Sequence, residues 1–440
     1  MKTSVIGLGK LGACLAVCLA TKGYETIGLD IDKSRVDDIN RGKAPVAEPR
    51  LQEMLTAAGN KLYATLDFNE IIENTDITFL VTPTPSEPDG HFSDRLLKNA
   101  LEPLSLALKK SQKEYHLFVI TATVSPGTTD DTLIPLIEKF SARKLNKGFG
   151  VCYNPEFITL GSVIDDFLKP DLVLIGESDT DAGDRLVRIY NVVCENKPYI
   201  ARMSIVSAEI SKISLNSYIT MKISFANTLA NICESIPGAD VDAISRSLGA
   251  DKRISPYYIK GGLAFGGPCF PRDNKAFVTF AGSFGHEAML AQATDNVNNR
   301  QIQQLKDLVI KHLPGDRRIS ILGLAYKLNT PVIEESAAVK LIEELLCQDV
   351  KINVYDPLAM DNARAVFGET INYTSSLAEC LSRSACWVFT LTYDEFMAID
   401  ASNIIVDPTT IVDCWRMIDP AKLSNKVKYI ALGKYTGQGK

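Results

Sequence analysis

The feature that most constrains this chain is a glycine-rich turn near its N-terminus. Gly7-Leu-Gly-Lys-Leu-Gly12 follows a short β-prone run, Thr3–Ile6, and opens a stretch of helical composition, Lys10–Thr21. Asp30 ends a second predicted strand, Glu25–Leu29. A GxGxxG motif between a strand and a helix, with an acid after the next strand, is typical of a dinucleotide-binding βαβ unit. The sequence therefore predicts that the chain begins with a Rossmann-like α/β domain.

Each residue of the motif has a physical reason. Gly7 permits the tight turn, Gly9 lets the backbone approach a pyrophosphate, and Gly12 lets helix and strand pack closely. The helix N-terminus supplies N–H groups and a partial positive charge for the phosphates. Asp30 is suited to hold ribose hydroxyls and would repel a 2′-phosphate, so the expected cofactor is NAD rather than NADP.

The strand and helix pattern continues after this unit. Predicted strands are separated by helical stretches such as Leu96–Lys109, which indicates a parallel sheet covered on both faces. These strands are Ile77–Val81, Leu117–Thr121, Gly150–Tyr153 and Leu172–Ile175. From Ser204 to about Leu248 the apolar residues instead recur at helical spacing. The continuous part that is free of glycine and proline predicts one helix of roughly 30 residues that joins domains.

An α/β pattern returns near Arg318 and repeats the start of the chain. Ile321-Leu-Gly-Leu-Ala325 matches Val5-Ile-Gly-Leu-Gly9, and Tyr355-Asp356 matches Leu29-Asp30. Because Ala325 replaces the second glycine, we expect a second Rossmann-like fold that is degenerate as a dinucleotide site. The predicted architecture is two doubly wound α/β domains, 1–200 and 315–440, flanking a helical domain over 201–300.

Composition excludes several classes of function. With 53 acidic and 47 basic residues the net charge is −6, and no basic tail is present, so we expect no nucleic-acid or membrane partner. The longest apolar runs are too short to span a bilayer. The 10 scattered cysteines, with no CxxC pair, suit a reducing cytoplasm and argue against zinc.

The histidines give no sign of a metal site or a histidine base. None lies beside the other motifs, their spacing does not match HExxH, and surface or loop positions are expected for all of them. They are His91, His116, His286 and His312.

A second motif, Gly266–Asp273, surrounds a single thiol. Two glycines and two prolines fix the backbone around Cys269, which neither a helix nor a strand requires. The thiol is suited to act as a nucleophile, with Arg272 nearby to favour the thiolate. A lone cysteine is equally often a small buried packing residue, and this segment alone leaves both interpretations open.

Polar residues elsewhere fall where α/β enzymes place ligand contacts. Glu209, Lys212 and Asn216 share one face of the long predicted helix, where an ammonium and an amide can hold a developing oxyanion. A solvated helix face is the alternative. The segment Asn154–Phe157 follows a strand, as does Thr84-Pro85, and ligands bind at the carboxyl ends of such strands.

Taken together, in their order along the chain, these motifs resemble those of the UDP-glucose/GDP-mannose dehydrogenase family. These are NAD-dependent enzymes that oxidise the C6 alcohol of a nucleotide sugar to a carboxylate. The resemblance covers nearly the whole chain and extends to Arg253, Lys327 and Tyr355-Asp356-Pro357. It implies an NAD-binding domain, a central domain that forms a dimer and carries the cysteine loop, and a C-terminal domain that binds the nucleotide sugar.

The resemblance also implies catalytic roles. Cys269 is similar to the family's nucleophile, Lys212 to its oxyanion-stabilising lysine, and Asn216 to a sugar ligand. Asp273 and Thr123 resemble a pair that positions a water, and Glu156 resembles the carboxylate that acts as base in thioester hydrolysis.

Binding residues are implied in the same way. The cofactor positions are Gly7, Gly9, Lys10, Leu11, Gly12, Asp30, Arg35, Thr84, Thr123 and Arg272. The substrate positions are Glu156, Phe157, Ile158, Lys212, Asn216, Arg253, Tyr258, Ile259, Gly266, Phe270 and Lys327. The family pattern has Arg253 reaching across a dimer interface.

The implied reaction is oxidation of UDP-glucose to UDP-glucuronate by two NAD, through a thiohemiacetal and a thioester, in a cytoplasmic homodimer. One alternative is a UDP-N-acetylhexosamine 6-dehydrogenase. Another is a single-step β-hydroxyacid dehydrogenase, which needs neither Cys269 nor a third domain. The last alternative is a catalytically inactive protein that binds nucleotide sugars.

Three segments depart from the family pattern. Leu160 stands where an acid is usual, Thr330–Glu334 replaces TxDxR, and Asp413-Cys-Trp-Arg416 replaces a DxRN-like pattern, with Arg416 as a substitute one position away. We expect these changes to affect cofactor and substrate contacts rather than the thiol.

Overall fold

The computed structural model describes residues 1–404 and 409–435, and the chain divides into two compact units, Met1–Ile213 and Ser214–Lys440. Each unit contains an α/β sheet. The long helix α9, Ile205–Cys233, begins in the first unit and continues into the second. Its 29 residues include neither glycine nor proline, which confirms the predicted long helix.

The first unit contains an eight-stranded sheet with the order β3-β2-β1-β4-β5-β6-β7-β8. Its strands are β1 Thr3–Ile6, β2 Thr26–Leu29, β3 Leu62–Thr65, β4 Ile77–Leu80, β5 Leu117–Ile120, β6 Gly150–Tyr153, β7 Leu172–Glu177 and β8 Tyr199–Met203. The chain reverses its direction of winding between β1 and β4, which are neighbours. This reversal is the point at which open α/β sheets bind ligands.

Helices cover both faces of this sheet. They are α1 Lys10–Thr21, α2 Lys33–Asn40, α3 Leu51–Ala58, α4 Phe68–Asn74, α5 Arg95–Lys110, α6 Ile134–Ser141, α7 Val163–Leu168 and α8 Thr180–Val193. One apolar core gathers the buried side chains of α1, α3, α7 and α8, and a second gathers those of α4, α5 and α6. Buried strands between two cores explain why the predicted strands read as continuous apolar runs.

The prediction of a parallel sheet is wrong at one place. β7 pairs antiparallel with β6 through Cys152–Glu177 and Tyr153–Gly176, whereas β8 runs parallel to β7. The long segment between β6 and β7 contains only the short helix α7, so it returns without a full crossover. The other strand pairs of the unit are parallel.

The second unit contains a six-stranded sheet with the order β11-β10-β9-β12-β13-β14, and all its described pairs are parallel. Its strands are β9 Arg318–Leu322, β10 Lys351–Tyr355, β11 Asn372–Tyr373, β12 Cys386–Phe389, β13 Thr409–Asp413 and β14 Val427–Ala431. Its helices after α9 are α10 Val241–Gly249, α11 Phe270–Ser283, α12 Met289–Lys311, α13 Ala337–Leu346, α14 Met360–Phe367, α15 Leu377–Ser382 and α16 Asp394–Met397. The predicted second Rossmann-like fold is confirmed.

The internal repeat is visible in the turns after β1 and β9. Gly7 has φ +94° and donates its N–H to Leu29 O at 2.7 Å; Gly323 has φ +100° and donates to Tyr355 O at 2.8 Å. In both turns an aspartate accepts the next backbone N–H: Leu8 N lies 2.6 Å from Asp30 Oδ2, and Leu324 N lies 2.7 Å from Asp356 Oδ2. The two sequence copies therefore build the same local structure.

One of the histidines expected at surface or loop positions is a loop residue that is buried. His116 lies in the loop before β5 but is fully buried, with Nε2 2.7 Å from Thr78 Oγ1. Burial lowers its pKa to about 3, so the ring is neutral and packs as part of the core.

Two properties of the described residues bear on the environment of the chain. None of their helices is long and apolar enough to cross a membrane. All ten cysteines lie within the described ranges, and none of them is in a disulfide.

Candidate active site

The glycine turn after β1 is built by close backbone contacts. A Cβ on Gly12 would overlap the carbonyl oxygen of Gly7, and a Cβ on Gly7 would lie 2.7 Å from Val81 O. A Cβ on Gly9, in contrast, would have no atom within 4 Å. Packing therefore requires Gly7 and Gly12, whereas the space in front of Gly9 is open, as approach of a pyrophosphate requires.

Asp30 lies at the end of β2, where the sequence predicted it. Its carboxylate is buried and accepts the N–H of Leu8 at 2.6 Å and that of Asp32 at 2.9 Å. Arg35 Nη1 lies 3.2 Å from Asp30 Oδ2, and its Nε lies 3.6 Å from a carboxylate oxygen of Asp32. The predicted cofactor positions Asp30 and Arg35 are thus brought together at the edge of the glycine turn.

The residues at this end of the sheet fit NAD. Helix α1, whose first residues are Lys10 and Leu11, has neither a side-chain cap nor an acid in its first turn, so its N–H groups remain available to a phosphate. The buried hydroxyls of Thr82 and Thr121, which follow β4 and β5, have no hydrogen-bond partner among the described residues. Unsatisfied buried hydroxyls beside an open turn are suited to a polar ligand.

Thr84 and Thr123 lie in the loops after β4 and β5. Thr84 Oγ1 donates to the carbonyl oxygen of Thr123 at 2.6 Å. This bond joins two loops at the winding reversal of the sheet, and it brings together two residues that the family resemblance assigns to the cofactor.

Lys212 is buried on the first part of α9 and is held by the segment after β6. Its Nζ donates to the carbonyl oxygen of Glu156 at 2.7 Å and lies 4.6 Å from the ring centroid of Phe157. A backbone carbonyl and an aromatic face both attract a cation, so the ammonium has a fixed position. Three positions that the resemblance implies for the substrate, Lys212, Glu156 and Phe157, thus lie together, with Ile158 packed against the adjoining core.

Glu156 is placed in an apolar environment. Burial raises its pKa to about 7, although Lys212 partly opposes this shift. Its Oε1 is buried without a hydrogen-bond partner among the described residues. Nearby, Tyr190 Oη donates to Asn154 Oδ1 at 2.6 Å, which fixes the start of the same segment. A carboxyl group that titrates near neutral pH is suited to accept a proton from water.

Glu209 has a different task from its predicted neighbours on the helix face. Its carboxylate accepts the N–H of Gly127 at 2.6 Å and the N–H of Thr129 at 3.0 Å. Burial raises the pKa of Glu209 to about 7. It therefore anchors the loop after β5, and the alternative of a solvated helix face is wrong because both Glu209 and Lys212 are buried.

In the second unit, Cys269 is the N-cap of α11 and is exposed. The N–H groups at a helix start favour a negative charge on a neighbouring atom. Gly267, with φ +85°, lies against the ring of Tyr326, and Gly266 lies against the carbonyl of Glu335, so neither position admits a Cβ. The interpretation of Cys269 as a buried packing residue is therefore wrong.

Asp273 and Asn216 form a buried pair next to this cysteine. Asn216 Nδ2 donates to Asp273 Oδ2 at 2.7 Å, and Arg272 Nε lies 3.3 Å from Asp273 Oδ1. Arg272 is thus engaged with the carboxylate of Asp273. The structure brings together Asn216, Arg272 and Asp273 around the first turn of α11.

The other substrate positions of this unit differ in exposure. Arg253 is 88% exposed and pairs with Asp251 at 2.6 Å. Ile259 is buried, and the half-exposed Tyr258, with φ +61°, packs edge-on against Phe270. Lys327 Nζ lies 5.9 Å from the centroid of the Tyr326 ring. Tyr258, Phe270, Tyr326 and Lys327 thus belong to the surroundings of the cysteine loop, whereas Arg253 projects into solvent.

The departures from the family pattern have identifiable structural effects. Leu160 packs against the core of the first unit, and the carboxylate of Glu48 accepts the N–H of the following Gly161 at 2.7 Å. The Arg416 side chain is only 3% exposed, and its guanidinium binds both carboxylate oxygens of Asp242, at 2.7 and 2.9 Å.

One of the three departures lies next to the cysteine loop. The carbonyl of Glu334 accepts the N–H of Gly267 at 3.0 Å, which ties the altered segment directly to the cysteine loop. The contact is made by the backbone, so the side chain at 334 gave no sign of it.

Sequence reasoning missed two kinds of residue. Tyr326 follows the degenerate turn after β9, and nothing but its position beside Lys327 could have indicated it. Three buried amides, Asn227, Asn298 and Gln301, hold the segment before Cys269. A polar residue that interrupts the apolar side of a long helix is the sequence signal that could have indicated them.

Comparisons with known proteins agree with this geometry. Residues 1–194, 206–300 and 320–420 match the NAD binding, central and UDP binding domains of the UDP-glucose/GDP-mannose dehydrogenase family. The chain is 36% identical to a UDP-glucose 6-dehydrogenase of Haloferax volcanii, with 95% of this chain and 97% of that protein covered. It is 34% identical to a GDP-mannose 6-dehydrogenase of Pseudomonas syringae, with 81% of each covered.

A solved structure is similar over the same length. The UDP-glucose dehydrogenase of Pyrobaculum islandicum superposes with a TM-score of 0.89, at 30% identity, with 98% of each chain covered. The chain belongs to the UDP-glucose/GDP-mannose dehydrogenase family. It is an NAD-dependent nucleotide-sugar 6-dehydrogenase, as the order of its motifs predicted.

The glycine turn gives a matched pair of substitutions. Gly9→Ala should leave the melting temperature unchanged, because the added methyl meets open space and Gly9 has an ordinary φ of −70°. It should weaken NAD binding by about tenfold or more, since the methyl occupies the approach of the pyrophosphate. Gly12→Ala should lower the melting temperature, because its methyl overlaps backbone. Calorimetric melting and NAD titration separate the two; equal effects on melting would contradict this assignment.

Proposed function

We propose that this enzyme oxidises the C6 alcohol of UDP-glucose to UDP-glucuronate through a covalent intermediate on Cys269. The observation that carries the proposal is an exposed thiol at the start of α11, preceded by two glycines whose close backbone contacts fix the loop. A thiol in that position is poised for nucleophilic attack rather than for packing.

A covalent step would keep the intermediate aldehyde in the site between two oxidations. Converting an alcohol to an acid removes four electrons, which two NAD would take up as one hydride in each oxidation. Between these, the Cys269 sulfur adds to the C6 aldehyde, so a C–S bond forms and the carbonyl oxygen becomes the hydroxyl of a thiohemiacetal. Its oxidation gives a thioester. Water then adds to the thioester carbonyl, the C–S bond breaks, and the acid and the thiol are released.

Lys212 and Glu156 are assigned the charge and proton steps. The buried ammonium of Lys212, held by the carbonyl of Glu156 and the ring of Phe157, stabilises the developing oxyanion. Glu156, whose pKa is raised by burial to about 7, removes a proton from the hydrolytic water. Asp273 and Thr123 are assigned to positioning the hydrolytic water, and Asn216, which donates to Asp273 at 2.7 Å, is assigned to the sugar.

The choice of substrate rests on the C-terminal unit and on the relatives. The match of residues 320–420 to a UDP binding domain favours a nucleotide sugar over a β-hydroxy acid. Relatives that act on UDP-glucose and on GDP-mannose are 36% and 34% identical, so identity alone separates them weakly. UDP-glucose is proposed as the substrate because the UDP-glucose 6-dehydrogenase of Haloferax volcanii matches this chain over nearly its full length.

The functional division of the chain follows from the same assignments. We propose NAD binding by residues 1–200, dimerisation and the cysteine loop within 201–300, and nucleotide-sugar binding by 315–440. Ten cysteines without a disulfide support a reducing, cytoplasmic location.

A homodimer is supported by an exposed apolar stripe on α9. Tyr218, Phe225 and Ile232 recur every seven residues and are 59%, 53% and 50% exposed. Residues at that spacing lie on one helix face, and an exposed apolar stripe is suited to a second copy of the same helix. The exposed Arg253 is then available to the substrate of the partner.

Replacement of Cys269 tests the covalent route. Cys269→Ala should abolish uronate formation, because no thioester can form, while wild type yields two NADH for each UDP-glucose oxidised. Cys347→Ala, which removes another exposed cysteine, should keep full activity. NADH formation with UDP-glucose, UDP-GlcNAc, UDP-ManNAc and GDP-mannose identifies the sugar. Double turnover by Cys269→Ala would refute the covalent route.

Glu156 should control the dependence of the rate on pH. The base acts when ionised, so kcat of the wild type should rise as pH increases through about 7. Glu156→Gln should lose this rise and about 10²–10⁴ in kcat. Glu209→Gln is the matched control, because burial also raises its pKa to about 7 but its carboxylate serves backbone amides. If the pH profile followed Glu209 instead, the assignment of Glu156 would be wrong.

The α9 stripe should determine oligomeric state. Phe225→Asp should shift the protein to monomer in light scattering and raise KM for the nucleotide sugar, since the partner's arginine would be lost. Tyr199→Asp, which alters an exposed aromatic of β8, should leave the mass unchanged. A dimeric Phe225→Asp would rule out this interface.

A further inference from the structure

The eight residues before Cys269 include four glycines, and at each of them an added Cβ would meet a neighbouring group too closely. A Cβ on Gly261 would overlap Ala226 O, and one on Gly262 would lie 2.9 Å from Cys414 O. Gly266 and Gly267 face the Glu335 carbonyl and the Tyr326 ring in the same way. The glycine segment, Gly261–Gly267, is therefore pressed against its surroundings from several sides.

A segment rich in glycine is poorly suited, by itself, to hold a catalytic nucleophile in one position. Glycines have the greatest backbone freedom of all residues, and they carry no side chains that could lock the loop by packing. A nucleophile at its end requires some other source of order, because a displacement of about 1 Å can cost 10²-fold in rate.

Three buried amide side chains supply that order, and we call Asn227, Asn298 and Gln301 the amide clamp. Asn227 accepts from Gly262 N at 2.8 Å and donates to Leu263 O at 2.9 Å. Gln301 donates to Gly262 O at 2.6 Å. All three amides are at least nine-tenths buried, on α9 and α12.

Asn298 makes the contact that leads to the thiol. Its Oδ1 accepts from Phe265 N at 2.8 Å and its Nδ2 donates to Phe265 O at 3.0 Å, so one amide fixes both polar groups of that residue. The buried Phe265 ring packs edge-on against Phe270, at a centroid distance of 6.4 Å. Phe270 is the residue that follows Cys269 and begins α11.

We infer that the amide clamp positions the Cys269 thiol, with Asn298 as its principal residue. Asn298 acts through Phe265 and Phe270 and touches no reacting atom. The inference rests on the proposed function for its effect on turnover, whereas its effect on the thiol itself is independent of the reaction.

Asn298→Asp tests the clamp without changing side-chain size. It keeps an acceptor for Phe265 N but replaces the donor to Phe265 O with oxygen, so the loop should shift. We expect kcat for uronate formation to fall about 10²-fold, with KM for NAD unchanged. Because the thiol is needed after the first oxidation, aldehyde should escape, and hydroxylamine should trap it while NADH per sugar falls below two.

Ser224→Ala is the matched structural control. It removes another buried hydrogen bond between α9 and α12, from Ser224 Oγ to Thr294 O at 3.1 Å, without touching the glycine segment. The melting temperature of Ser224→Ala should fall by about as much as that of Asn298→Asp. Its kcat and its yield of NADH per sugar should stay at wild-type values. Gln301→Glu, which loses the donor to Gly262 O, provides a second clamp variant if Asn298→Asp does not fold.

Alkylation of Cys269 by iodoacetamide, followed by mass spectrometry of its peptide, gives a readout that does not need turnover. The rate of Cys269 alkylation and its dependence on pH should change in Asn298→Asp and Gln301→Glu but not in Ser224→Ala. Wild-type alkylation together with a wild-type product ratio in both clamp variants would overturn the inference. Altered alkylation with double turnover surviving in Cys269→Ala would keep the clamp and reject only the proposed function.

Discussion

Both α/β units depend on one interaction, a hydrogen bond between an aspartate at the end of one strand and the backbone of the turn after its neighbour. Asp30 accepts Leu8 N and Asp356 accepts Leu324 N, at 2.6 and 2.7 Å. A buried carboxylate that binds backbone amides holds the turn in one conformation. In the first unit, α1 begins directly after this turn and has no side-chain cap, so its first N–H groups remain available to a ligand.

In each unit, the loops that carry candidate site residues are ordered by buried polar side chains that bind backbone. Lys212 binds the carbonyl of Glu156, Glu209 binds the amides after β5, and Asn298 binds both groups of Phe265. Loops that follow strands have no ladder of their own, so such bonds are what fix them. Lys212 thus combines a structural contact with a proposed catalytic role, whereas Glu209 and Asn298 bind backbone and have no proposed part in the chemistry.

Much of the fold could be predicted from sequence because it depends on local pattern. The glycine turn, α1 and the continuous helix α9 follow from spacing alone, and the repeat at Gly323 follows from comparison within the chain. The antiparallel β7 could not be predicted, since a buried strand has the same composition in either direction. The clamp amides and the Glu334–Gly267 bond were also hidden, because contacts made through backbone depend on three-dimensional position rather than residue type.

The turn after β9 differs from the turn after β1 in how fully the carboxylate of its aspartate is hydrogen-bonded. The carboxylate of Asp356 is only 1% exposed and accepts hydrogen bonds from four backbone N–H groups, those of Leu324, Ala325, Leu358 and Ala359. No lone pair is left over for a ribose. The carboxylate of Asp356 is therefore committed to its own turn, so replacing Ala325 with glycine should not by itself create a dinucleotide site in the second unit.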